Sequence, residues 1–241
     1  MPLGLFFVRN VTQKKDECTF LYTLIWFNVS YRMSDTNRTW RFTNTGAAST
    51  HLKERAQGLR TALRLLGPKL VAELSGVSYL EIGPDRGELH IPLWGNVCIL
   101  PWPDLTGYNN SDDVLPDFQQ ALLLYYLVTA NGASQTGKWI SFADLPGGRI
   151  YNQAFQSYSG NELSKAIGLN LESFKGACKL AGGEFIDIGS ASYIFQALPR
   201  VPLMVTYWLG DEEFPSSCKI LLTNLPRIIY RLTFALFWEA L

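Results

Sequence analysis

VSYLEIGPDRGELHIPLWGNVCILPW, residues 77–102, decides the fold. Its β-branched and aromatic residues are punctuated by Gly83-Pro84, Gly87 and Gly95-Asn96, which reads as three short antiparallel strands joined by tight turns. Upstream, Leu52, Ala56, Leu59, Leu63, Leu66 and Leu70 recur three or four apart with Lys53, Glu54, Arg55 and Arg60 between them. That spacing predicts an amphipathic helix over His51–Leu74, broken at Gly67-Pro68 because proline cannot donate to the helical ladder. Downstream, Pro103–Pro116 is a polar loop, and Pro116-Asp117 opens a helix to about Ala130. Phe118, Leu122, Leu123, Leu124, Tyr125, Leu127 and Val128 leave that helix hardly any polar face, so it belongs at the centre of a core. Asn131-Gly132 is expected to end it with a residue at ease at positive φ.

The second half continues the mixture. Lys138–Phe142 reads as a strand or edge, and Pro146-Gly147-Gly148 as a turn. Ser159-Gly160-Asn161-Glu162 has the form of a capping box for a short helix to Ile167. Asn170 starts a helix with Leu171, Phe174, Cys178 and Ala181 in one stripe, stopped by Gly182-Gly183. Ser192–Leu198 and Leu203–Leu209 then read as strands, the latter alternating Leu203, Val205, Tyr207 with Met204, Thr206, Trp208. The expected class is α+β, a single domain with helices packed on a mainly antiparallel sheet.

Composition narrows the functions. Of 241 residues, 21 are basic and 21 acidic, so no global field draws the chain to nucleic acid or an anionic membrane. Cys18, Cys98, Cys178 and Cys218 form no C-x-x-C and have no histidine at ligand spacing, which gives no zinc-finger or iron–sulfur signature. They read as reduced, buried hydrophobes of a cytoplasmic protein. The apolar run Cys18–Val29 is about a dozen residues long where a membrane helix needs roughly 20, and as a signal peptide it lacks a cleavage site. A start at Met33 would make residues 1–32 upstream sequence. We therefore set residues 1–49 apart as an N-terminal extension.

Familiar catalytic patterns fail on inspection. Gly132, Gly137 and Lys138 have the G-x-x-x-x-G-K spacing of a phosphate-binding loop, but Trp139 stands where Ser or Thr should hold magnesium, and the loop follows a helix instead of a strand. His51 and His90, the two histidines, lie in no nucleophile motif. His90 alternates with apolar neighbours, as a half-buried, hydrogen-bonded strand histidine does.

What remains is Ala197–Pro215, ALPRVPLMVTYWLGDEEFP. Pro199 and Pro202 stiffen the backbone around Arg200, which suits a fixed guanidinium for carboxylate or phosphate recognition, or an ion pair at the strand end. Gly210 turns the chain into Asp211, Glu212 and Glu213. These could bind a divalent cation, with Asp211 and Glu213 the candidate metal ligands, or hold one raised-pKa acid beside ionised neighbours; a solvated turn is the plain alternative. With Trp208, these residues are the candidate ligand-binding set: Arg200, Trp208, Asp211, Glu212 and Glu213. No cofactor and no catalytic residue can be assigned.

Trp139–Gly147 (WISFADLPG), Tyr151 with Ala154-Phe155, Leu180–Gly183, and above all Ala197–Pro202 through Trp208 and Gly210–Pro215 resemble the domain of unknown function 3786 family over residues 52–221. The resemblance implies a cytoplasmic protein of anaerobic metabolism, in a family some of whose members carry a separate cysteine-rich iron–sulfur domain. It transfers no catalytic residue. The expected function is a ligand-binding or accessory module; the alternatives are a metal-assisted enzyme using Asp211–Glu213 and a scaffold for an iron–sulfur partner, with no nucleic acid or membrane as partner. The family-like domain is expected over residues 50–221. Family members close with a segment like Leu-Phe-Asp-x-Ser-Ala-x-His-Tyr-Leu-Pro and a helix, whereas the present tail reads LTNLPRIIYRLTFALFWEAL. One T restored within the Leu222 codon yields, by a permitted codon choice, the family ending, so residues 222–241 are expected to be frameshifted translation.

Overall fold

Proline's missing donor acts where the sequence placed it: one helix runs Gly46–Leu66 (α1) and the next starts at Pro68 and runs to Ser75 (α2). The computed structural model describes residues 46–134 and 137–223. The expectations on residues 1–45, and those on the tail from residue 224, lie outside the described residues. The described chain forms two compact units interleaved in sequence, one holding residues 139–195 and 203–222, the other residues 46–138 and 196–202.

In the second of these units the glycine-punctuated stretch forms three antiparallel strands, Ser78–Gly83 (β1), Arg86–Leu93 (β2) and Asn96–Trp102 (β3), in that order. One sheet face is apolar: Leu89, Ile91, Leu93, Cys98, Leu100 and Trp102 are buried. The helix Asp117–Thr129 (α3) is a core element as expected, with Leu122, Leu123, Leu124, Tyr126 and Leu127 buried. Its end differs from the expectation. Ala130 is extended and the positive φ falls two residues later, at Gly132, whose N–H donates to Leu74 O. The polar loop 103–116 is tied down by side chains the sequence did not single out. Arg60 donates to Leu105 O and to Gln120 Oε1, Gln120 donates to Leu115 O, and Arg64 donates to Pro103 O. A buried loop carbonyl must find a donor, and at buried Leu105 Arg60 of α1 supplies it.

The other unit is built on a five-stranded sheet: Trp139–Ser141 (β4), Glu184–Ile186 (β5), Ala191–Leu198 (β6), Val201–Trp208 (β7) and Ser217–Thr223 (β8), in the order β4-β8-β7-β6-β5. Fold class is thus α+β, with two sheets in place of one. The Val201–Tyr207 stretch of β7 is buried on both faces, so its alternation divides two covered sides instead of core from solvent. Gly148–Tyr158 (α4), β5 and β8 were not foreseen. Gly160–Ile167 (α5) was, but without its capping box: Ser159 Oγ donates to Phe155 O. The box forms at Ser141, whose N–H and hydroxyl both donate to Asp144. Asn170 caps Leu171–Leu180 (α6) by accepting from Ser173 N. From α6, Phe174 stacks on Tyr207 at 4.9 Å and meets Tyr193 edge-on at 5.9 Å, geometries that aromatic quadrupoles favour.

Among the described residues no helix is long and apolar enough to cross a membrane. Cys98, Cys178 and Cys218 are buried and in no disulfide. Burial pushes the Cys98 and Cys218 thiols up from their ordinary range, which suits small core hydrophobes.

Candidate functional site

Arg200 sits at the joining end of β6 and β7, residues that group with the three-stranded sheet and α1–α3. Pro199 and Pro202 do hold a rigid tip, and the guanidinium is fixed, but by main chain. Nη2 donates to Glu73 O at 3.1 Å and Nη1 to Ala133 O at 3.4 Å, while Nε is buried without a partner. Its own N–H donates to the Tyr126 hydroxyl, which donates in turn to Ser75 O. Glu73 and Ser75 are in the last turn of α2, where carbonyls lack intrahelical donors and the helix dipole is negative. Arg200 and Tyr126 therefore cap α2. Among the described residues no carboxylate lies within ion-pair range of Arg200, so the ion pair expected at the strand end is replaced by charge-assisted bonds to carbonyls. Burial pushes the Tyr126 phenol up, with the neighbouring Arg200 opposing it.

Trp208, Asp211, Glu212 and Glu213 belong to the β7–β8 hairpin of the five-stranded unit. Trp208 is half-buried, with Lys219 Nζ 5.3 Å from the centre of its ring. Asp211 Oδ1 accepts from Glu213 N at 3.0 Å and Phe214 N at 2.8 Å, and Asp211 N donates to Phe214 O. One carboxylate of the triplet thus shapes the turn. Glu212 and Glu213 are exposed. No group of three or more His, Cys, Asp or Glu residues among those described could hold a metal ion.

A second turn completes this end of the sheet. Between β5 and β6, Ser190 N donates to Tyr207 O and Ser190 Oγ accepts from Leu209 N. Gly189 has φ +66, and a Cβ there would lie 3.0 Å from Tyr207 O and 3.2 Å from Trp208 Nε1; at Gly210 a Cβ would lie 2.4 Å from Ser216 N. Only glycine lets the first turn close on β7 and the second close on its own residues 214–216 this tightly. The two turns hold Asp187, Asp211, Glu212 and Glu213 exposed, and with them Ile188, Leu209 and Phe214, which are 41%, 44% and 67% exposed.

A family model described as domain of unknown function (DUF3786) matches residues 68–224. The chain belongs to the DUF3786 family. No curated protein and no solved structure matches it. The match spans the DUF3786 domain from α2 to β8 and takes in Arg200, Trp208 and the acidic turn. Sequence reading missed the capping role of Arg200, because the carbonyls it serves lie about seventy and one hundred and thirty residues upstream. It also missed Ile188, Leu209 and Phe214, although Phe214 follows the acidic triplet directly, Leu209 precedes it by two positions, and apolar residues at a turn are a usable signal.

Proposed function

We propose that this DUF3786 domain is an accessory module that docks a partner protein through the paired turns at residues 187–190 and 209–216. The observation that carries the reading is the exposure of Ile188, Leu209 and Phe214 among four carboxylates on turns closed by Gly189 and Gly210. Covering one large apolar side chain yields about 1.5–3 kcal/mol, and the surrounding carboxylates select what covers it. The matching surface has an apolar hollow with a basic rim, since complementary charge at the rim raises encounter rate and rejects acidic partners. A cytoplasmic iron–sulfur protein of anaerobic metabolism, the partner suggested by the family resemblance, is the first to try.

The test replaces Phe214 with a photo-reactive phenylalanine analogue in the full chain, in cells that make it natively. The expected result is one dominant adduct, basic at the crosslinked face, whose yield falls about tenfold when Glu212 and Glu213 are both changed to Gln. Adducts spread over many proteins, indifferent to those two charges, would overturn the reading.

A further inference from the structure

The stretch after α3 places an exposed asparagine, Asn131, directly before a glycine, Gly132. In that order the two residues are prone to react with each other, because the Gly132 main-chain nitrogen can reach the Asn131 side-chain carbon Cγ and glycine puts no Cβ in the way. Here both reacting groups are held. Gly132, at φ +75, donates its N–H to Leu74 O at 3.0 Å, and Asn131 Oδ1 accepts from Ala133 N at 3.2 Å. Ala133 O in turn accepts from Arg200 Nη1 at 3.4 Å. Leu74 lies in the last turn of α2, so residues 131–133 are tied to the same helix end that Arg200 caps.

We infer that Asn131 is a spontaneous deamidation site whose rate is set by the opening of the Gly132 N–Leu74 O hydrogen bond. The step needs only water and hydroxide. Gly132 N loses its proton to hydroxide and forms a bond to Asn131 Cγ; the side-chain amide nitrogen takes a proton from water and leaves as ammonia, and a succinimide remains. Water then opens that ring at either carbonyl, giving aspartate or isoaspartate at position 131. The Ala133 N–H polarises the carbonyl under attack, so the group withheld from reaction is the nitrogen. An amide proton held in a hydrogen bond passes to solvent only when that bond opens. Exposure of Asn131 alone would predict rapid conversion, whereas the bond to Leu74 predicts slow conversion in step with local opening. The isoaspartate product routes the main chain through the former side chain and lengthens it there by one methylene. Gly132 N and Ala133 O cannot then both stay opposite Leu74 O and Arg200 Nη1, and each conversion loosens the ties that delayed it.

The full chain, folded and in urea, is incubated in mildly alkaline buffer, and the peptide bearing residue 131 is followed by mass spectrometry for conversion of amide to acid, with enzymatic isoaspartyl methylation identifying the product. Amide exchange at Gly132 is measured on the folded chain in the same buffer. The expected result is ready conversion at Asn131 in urea and slower conversion in the folded chain, by a factor that matches the Gly132 exchange protection to within about threefold. Folded chain carrying isoaspartate, separated from the parent by ion exchange, is expected to lose that protection. Failure of Asn131 to convert in urea, conversion in the folded chain as fast as in urea, or a slowing more than about tenfold away from the exchange protection would each overturn the inference. So would an isoaspartate chain as well protected at Gly132 as the parent.

Discussion

Replacing Arg200 with methionine separates a capping arginine from a ligand-binding one. Methionine keeps most of the side-chain stem but removes the donors to Glu73 O at 3.1 Å and Ala133 O at 3.4 Å. A hydrogen bond from a charged donor is worth about 1.5–3 kcal/mol; the first bond deserves that value, and the second, at the outer end of the range, a fraction of it. The cation's interaction with the C-terminus of α2 adds roughly 0.3–1 kcal/mol. The expected loss is about 2–4 kcal/mol, or about 1–2 M in the urea midpoint for a slope near 2 kcal/mol/M. Arg200→Lys keeps the charge but cannot reach two carbonyls in different directions from one planar group, so about half the loss should remain. Equilibrium urea unfolding followed by circular dichroism measures both variants. An Arg200→Met midpoint within about 0.2 M of the wild type would refute the capping argument, since it would mean that those carbonyls are equally well served by water.

Two further outcomes follow from backbone geometry and from burial. Gly210→Ala forces a Cβ within 2.4 Å of Ser216 N and 2.6 Å of Phe214 O, so the turn must open; thermal unfolding should lose about 1–3 kcal/mol, and amide exchange should quicken at Glu213 and Phe214, whereas unchanged exchange there would show that the turn was never closed. Burial raises the Cys98 and Cys218 thiols above their ordinary value of 9.0, so above that pH the unfolded chain releases these protons while the folded chain keeps them. Stability fully present below pH 9 is then lost as pH rises, by up to about 1.4 kcal/mol per pH unit for each thiol. Urea unfolding between pH 9 and 10 under reducing conditions should therefore show a shallower pH slope in Cys218→Ala than in the wild type, and equal slopes would contradict burial of that thiol.

Local signals carried most of the secondary structure. The break at Gly67-Pro68, the three strands over residues 77–102, the core helix α3 and the Asn170 cap all rest on neighbours within a few residues, and each appears where periodicity or proline put it. What was lost had no start signal, met a nearer acceptor, or depended on distant chain. Gly148–Tyr158 follows a Pro-Gly-Gly turn with no capping residue, because Gly147 stands at its N-cap with φ +74, and the sequence offered no start signal. Ser159 has the residues of a capping box, yet the preceding helix presents Phe155 O first, and a hydroxyl proton goes to the acceptor within reach. β8 gave no reading of its own, since Cys218, Ile220 and Leu222 become a strand by pairing with β7. The candidate site was legible in composition only: the acidic turn and Trp208 were found, but the acceptors that engage Arg200 come from residues 73 and 133.

The two halves of the motif Ala197–Pro215 therefore ask for different kinds of explanation. At its first end two prolines stiffen the tip, the phenol of Tyr126 and one guanidinium nitrogen serve carbonyls at the end of α2, and a second guanidinium nitrogen serves Ala133 O. At its second end the backbone needs are met by Asp211, Ser190 and two glycines. Glu213 and Phe214 enter that arrangement through their main chain alone, and a fully solvated turn would be served as well by small polar side chains as by an exposed phenyl ring. An apolar side chain left in water on a turn with no folding use for it is what a docking surface requires and stability does not. The docking proposal accordingly rests on the acidic, aromatic end of the motif, and the arginine expected to recognise a carboxylate or phosphate is engaged instead by main-chain carbonyls.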